Sequence, residues 1–107
     1  MVLVLAVWAG LPTTPAVAQA TTTVSVQDNT FNPRQATIQS GDTLAWTNDG
    51  GVQHTVTADD GSFDSGTLNA GDQFSFTFTG PGTYAYYCQI HGGPGGDGMA
   101  GTIVVHG

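Results

Sequence analysis

The sequence predicts an all-β sandwich or barrel of about seven or eight strands. Three observations predict it. Phe74, Phe76 and Phe78 alternate with Ser75, Thr77 and Thr79, the period of two that places one face of a strand on a core. Turn signals recur at Ser40-Gly41-Asp42, Asn48-Asp49-Gly50-Gly51, Asp59-Asp60-Gly61, Asn69-Ala70-Gly71-Asp72 and Gly80-Pro81-Gly82. No segment after Ala20 has a helical period, and 16 Gly in 107 residues disfavour helix.

The elements follow in chain order. Val24 and Val26 alternate with polar neighbours, and Leu44 and Trp46 do the same. His54, Val56 and Ala58 share one face of a strand and Thr55 and Thr57 the other, so His54 is expected to point inward at the end of the sandwich. Tyr84, Tyr86 and Cys88 share one parity, with Ala85 and Tyr87 on the opposite face, and Cys88 is expected to close that strand. Ile103 and Val105 supply the last strand. Residues 92–98 hold five Gly, one Pro and one Asp. The composition is that of a flexible linker, but the position between two ligand-type side chains fits a binding loop instead. Its glycines would supply positive φ and Pro94 would restrain it.

Residues 1–18 read separately, as a secretory signal. The run Val2–Ala9 is apolar but too short to span a bilayer. It leads through Pro12 and Pro15 to Ala16-Val17-Ala18, a small-residue cleavage signal. Gln19 would be the first mature residue, with cleavage after Ala20 as a second option. Residues 19–107 then form one domain, exported to the periplasm or outside the cell.

Eight Asp and one Arg (Arg34), with no Glu or Lys, give a formal charge of -7. Nucleic-acid binding needs a basic surface and is disfavoured. Docking on an anionic membrane is disfavoured for the same reason, and no stable membrane insertion is expected. The acidic surface keeps a monomer soluble and can steer a basic partner.

Cys88 is the only cysteine, so no intramolecular disulfide can form. A lone thiol in an oxidising compartment pairs or oxidises unless something holds it, and metal ligation would do so. His91 follows Cys88 by three residues, Met99 lies beyond the Gly-rich segment, and His54 lies upstream. Two His, one Cys and a weak axial Met are the donor set of a blue-copper electron-transfer site. Singly, each residue has an ordinary use: a core histidine, a small buried hydrophobe, a packing methionine. Jointly, an aromatic strand, Cys-x-x-His, a Gly-rich loop, Met and a final strand are far more specific. His106 has no companion and reads as a tail residue.

These residues carry a resemblance to a family. Tyr84-Ala85-Tyr86-Tyr87-Cys88-Gln89-Ile90-His91, Met99 with Ala100–Val105, and Leu44-Ala45-Trp46-Thr47-Asn48 ahead of His54-Thr55-Val56 resemble the cupredoxins of the plastocyanin and amicyanin type. Phe63–Gly66 and Gly80–Tyr84 are similar too. The resemblance covers roughly residues 21 to 106 and implies a Greek-key β-sandwich. It further implies one type 1 copper ion held equatorially by His54, Cys88 and His91 and axially by Met99. It also supports Tyr87 as a coupling route from the sulfur to a docked partner. The sequence departs from that family in having Gln53, where Pro is common. Seven residues separate His91 and Met99, against two to four in the members it most resembles.

The expected function is single-electron transfer between redox proteins, such as a cytochrome, a dehydrogenase or an oxidase. The alternative is copper delivery or storage with the same ligands. An enzyme is disfavoured: a thiol nucleophile would need Cys88 beside His54 or His91 as base, and no orienting pattern accompanies them. A multicopper enzyme would need further histidines, and only His106 remains.

Overall fold

A computed structural model describes residues 19–107. The expected signal segment, residues 1–18, lies outside the described residues. Among the described residues eight strands form: β1 (Thr21–Val26), β2 (Phe31–Asn32), β3 (Gln35–Gln39), β4 (Thr43–Asn48), β5 (Thr57–Ala58), β6 (Gln73–Thr77), β7 (Gly82–Gly93) and β8 (Asp97–His106). They make two four-stranded sheets, in the orders β2-β1-β4-β6 and β3-β8-β7-β5. Each sheet contains one parallel pair, β1 with β4 and β3 with β8; the other pairs are antiparallel. The all-β sandwich expected from the alternation is the fold observed.

Alternation builds the core. Val24 and Val26 of β1, Leu44 and Trp46 of β4, Ile38 of β3, Tyr86 and Cys88 of β7, and Ile103 and Val105 of β8 are all buried between the sheets. Register brings them into contact. Trp46 lies opposite Val24 on one side and Phe74 on the other. Its indole is fully buried and gathers the aromatics. Ring centroids lie 5.7 Å from Phe63, 5.6 Å from Phe74 and 5.5 Å from Tyr86, the last edge-on. Edge-to-face and tilted pairs at these separations suit the ring quadrupoles. Phe74 and Phe76 are only half-buried, because β6 is an edge strand, whereas Phe78 just past its end is buried.

The sequence reading and the structure differ in four places. The strand expected to carry His54, Val56 and Ala58 is only Thr57–Ala58, with His54 in an isolated bridge ahead of it. Thr55 and Thr57, expected on an outward face, are buried along with His54, Val56 and Ala58. Their hydroxyls hydrogen-bond to each other at 3.0 Å, and Thr55 Oγ1 also accepts the Gln89 amide at 2.8 Å. A threonine can be covered without cost when its hydroxyl is satisfied. Cys88 does not close its strand: β7 continues through His91 to Gly93. Residues 92–98 are no open loop but the tip of a β-hairpin. Gly92 lies opposite Gly98 and Gly93 opposite Asp97, with a register shift between Tyr87 and Gly92. Gly95 and Gly96 do take positive φ, as the composition implied.

Close approach at Gly101 seals the β7–β8 layer. A Cβ there would lie 2.6 Å from Tyr86 Oη and 2.9 Å from the Arg34 carbonyl. Gly101→Ala is therefore expected to cost about 1–3 kcal/mol, the range for overpacking a filled core. The midpoint of urea unfolding should fall accordingly; an unchanged midpoint would show that Tyr86 moves aside freely.

Candidate metal centre

Two elements and one bridge position the site. Cys88 lies on β7, and its side chain is fully buried at one end of the sandwich. His54 precedes β5 and is pinned by a two-way backbone bridge to Leu68, with N···O distances of 3.1 and 2.8 Å. His91 follows on β7 and is exposed. Met99 is buried near the start of β8, in the same core cluster as Cys88. The seven residues between His91 and Met99 form the tip of the β7–β8 hairpin. They are spent on a paired extension rather than on a wide loop, and the Gly95 amide donates to Asp59 Oδ2 at 2.9 Å to tie the tip down.

The sulfur of Cys88 lies between two imidazoles, 3.7 Å from His54 Nδ1 and 3.6 Å from His91 Nδ1. The three ligand atoms all lie within 4.8 Å of one another. The spacing can be tested against a metal. An ion bonding sulfur at about 2.3 Å and imidazole nitrogen at about 2.0–2.1 Å holds them about 3.5–3.8 Å apart at trigonal to tetrahedral angles. The observed sulfur–nitrogen distances fit. The soft thiolate and thioether beside imidazole fit copper among the candidate ions.

Further groups organise these donors. The Thr55 amide donates to Cys88 Sγ at 3.4 Å, within range for a sulfur acceptor. Asp28, in the turn between β1 and β2, accepts from His54 Nε2 at 3.3 Å. The same Asp28 oxygen accepts the Gly51 amide at 2.9 Å and the Val52 amide at 3.3 Å. The His54 hydrogen bond, helped by these amides, holds the Asp28 carboxyl below its ordinary value. Asp28 is thus a carboxylate near neutral pH. A carboxylate only accepts, so His54 carries its proton on Nε2 and presents a lone pair at Nδ1, toward the sulfur. Asn48, fully buried at the end of β4, donates to the carbonyls of Val52 and Leu68 at 2.9 and 3.0 Å and accepts the Gly50 amide at 2.9 Å.

The structure brings His54, Cys88 and His91 together and buries Met99 in the adjoining core. His106 ends β8 and is exposed, as a tail residue should be. Sequence reasoning missed Asp28, Asn48 and Thr55. Asn48 entered as part of a turn signal and of the Leu44–Asn48 segment that carries the resemblance, without a role of its own. Asp28 is 26 residues from His54 and gives no local signal.

A two-sheet β-sandwich with a buried thiol between two imidazoles at one end defines the small blue-copper class of proteins. Residues 1–105 match the family model of the cupredoxin-like domain. The chain belongs to the cupredoxin-like family, whose members bind one type 1 copper ion. It is 38% identical over 87 residues to chloroplastic plastocyanin of Oryza sativa subsp. indica, covering 71% of this chain and 54% of that protein. It is 37% identical over 86 residues to plastocyanin of Scenedesmus fuscus, covering 70% and 85%. The chain thus spans about half of the rice protein and most of the algal one. Among solved structures, an oxidised single-site variant of amicyanin superposes with a TM-score of 0.69 at 26% identity, covering 79% of this chain and 81% of amicyanin.

Proposed function

We propose that His54, Cys88 and His91, with Met99 beside them, would hold a single copper ion. On this reading the protein is an exported carrier of single electrons between redox proteins. The observation that carries the reading is the Cys88 sulfur bracketed at 3.7 and 3.6 Å by two imidazole nitrogens. The plastocyanin and amicyanin likeness adds weight to it.

Copper, when bound, supplies a one-electron Cu(I)/Cu(II) couple. The chain's own residues supply the rest. His54 and Cys88 are fully buried and Met99 nearly so, which excludes water from their side of the site. Strand pairing and the His54–Leu68 bridge hold the donors in place, so little has to move as charge changes. His91 alone reaches solvent, beside exposed Ile90. That edge is the short way out for an electron. Tyr87, half-buried on the opposite face of β7 from Cys88, offers a second way, through the bond to Cys88. The net charge of -7 favours a basic partner surface. Copper delivery or storage would use the same donors but need readily exchanged metal; a pinned, buried site argues for retention.

Protein recovered from outside the cytoplasm should begin at Gln19, or at Thr21 if cleavage follows Ala20, and turn blue on addition of Cu(II), with an intense visible sulfur-to-copper band. Cys88→Ser should abolish the band. A colourless protein holding stoichiometric Cu(II) would sink the blue-copper reading, and a mature chain that retains Met1 would remove the export half.

Met99→Gln should keep the protein blue and lower its reduction potential, because an oxygen donor favours Cu(II) over the softer Cu(I). Voltammetry on the two proteins reads this directly. An equal potential would leave Met99 a packing residue.

Electron transfer to a basic partner should slow as salt rises, since screening shortens the field to about 8 Å near physiological ionic strength. Stopped-flow rates insensitive to salt would reduce the acidic surface to a solubility device.

A further inference from the structure

We infer that Asp28 is a positioning residue for the metal centre: its carboxylate fixes the tautomer and ring orientation of His54 and adds a negative charge one imidazole away from the sulfur. The inference rests on His54 being a ligand, as proposed above, but its geometry stands on its own.

Three donors converge on one oxygen. Asp28 Oδ1 receives His54 Nε2 at 3.3 Å, the Gly51 amide at 2.9 Å and the Val52 amide at 3.3 Å. The two amides hold the carboxylate still, so it acts as a fixed acceptor rather than a floating surface charge. Gly50 makes the approach possible: a Cβ at that position would overlap Asp28 Oδ1. Residues 50–52 are therefore shaped around Asp28, and they lead directly into His54. The side chain of Asp28 is half exposed, at 51%, while that of His54 is fully buried. One edge of the imidazole thus meets the carboxylate at the surface, and the other meets the sulfur inside.

The consequence for the site is electrostatic as well as geometric. A carboxylate hydrogen-bonded to a ligating imidazole raises the basicity of that ligand and fixes which nitrogen is free. Extra negative charge near the ion favours the more positive oxidation state, so Asp28 should hold the reduction potential down. A purely structural Asp28 would affect stability and do neither.

Two variants separate the roles. Asp28→Asn keeps an oxygen for the two amides and for His54 but removes the charge. Asp28→Leu removes both. In the metal-free protein, long-range ¹⁵N correlation spectra should show His54 protonated at Nε2 in the wild type and in Asp28→Asn. In Asp28→Leu the Nδ1–H form should become populated. In the copper-loaded protein, Asp28→Asn should raise the reduction potential with the visible band retained. Asp28→Leu should weaken Cu(II) binding about tenfold or more, the scale on which such outer partners act. An unchanged potential in Asp28→Asn, or an unchanged His54 tautomer in Asp28→Leu, overturns the inference. If the wild type fails to turn blue, the copper reading falls instead, and the tautomer in the metal-free chain still decides the part played by Asp28.

Discussion

A buried sulfur that must also be reactive toward a metal needs neighbours that hold it without quenching it, and in this protein those neighbours come from two separate segments, His54-Thr55 before β5 and His91 on β7. Cys88 is fully covered, and its sulfur faces His54 Nδ1, His91 Nδ1 and the Thr55 amide. None of the four residues could take its place alone. The Thr55 amide reaches the sulfur because Thr55 Oγ1 accepts from Gln89, which locks the approach to β5 against β7. His54 reaches it because its backbone is bridged to Leu68. His91 reaches it because β7 continues past Cys88 instead of ending there.

The rest of the fold serves that placement. Trp46 fills the middle of the sandwich, reaching across to Tyr86 of the other sheet and packing beside Phe74 of its own sheet and Phe63. Burial pushes the Tyr86 phenol up to about 12 and keeps it neutral, so the core beneath the site stays uncharged. Asn48 leaves the same strand as Trp46 and ties the Gly50–Val52 segment and Leu68 together with three hydrogen bonds. A rigid apolar layer thus ends in a short polar network that delivers His54, and Asp28 closes that network from the first sheet. Burying Asn48 is tolerable because its amide is satisfied by these three bonds, whereas Trp46 Nε1 and Tyr86 Oη are buried without a partner among the described residues.

Much of this was legible in the sequence, for a physical reason. Period-two alternation in Val24/Val26, Leu44/Trp46 and Ile103/Val105 reports one face of a sheet, and those faces are buried. That Cys88 would meet His54 and His91 was legible because a thiol and imidazoles at these positions form a chemically coherent set. What failed was inference from composition and from simple parity. Residues 92–98 look like a linker, yet glycines opposite one another can pair backbone to backbone, and they form a hairpin. Thr55 and Thr57 look outward-facing, yet hydroxyls that bond each other can be buried. Asp28 was invisible because its meaning lies wholly in a tertiary contact with a residue 26 positions away.

The central claim is that the protein holds its donors in place before any metal arrives. High-resolution crystal structures of the metal-free and Cu(II)-loaded protein test this most directly. The account predicts that Cys88 Sγ keeps its spacing to His54 Nδ1 and His91 Nδ1 near 3.7 and 3.6 Å in both forms. It also predicts that His54 stays on Asp28 in both. A metal-free protein in which His54 or Cys88 swings away, with the site assembled only by copper, would contradict it.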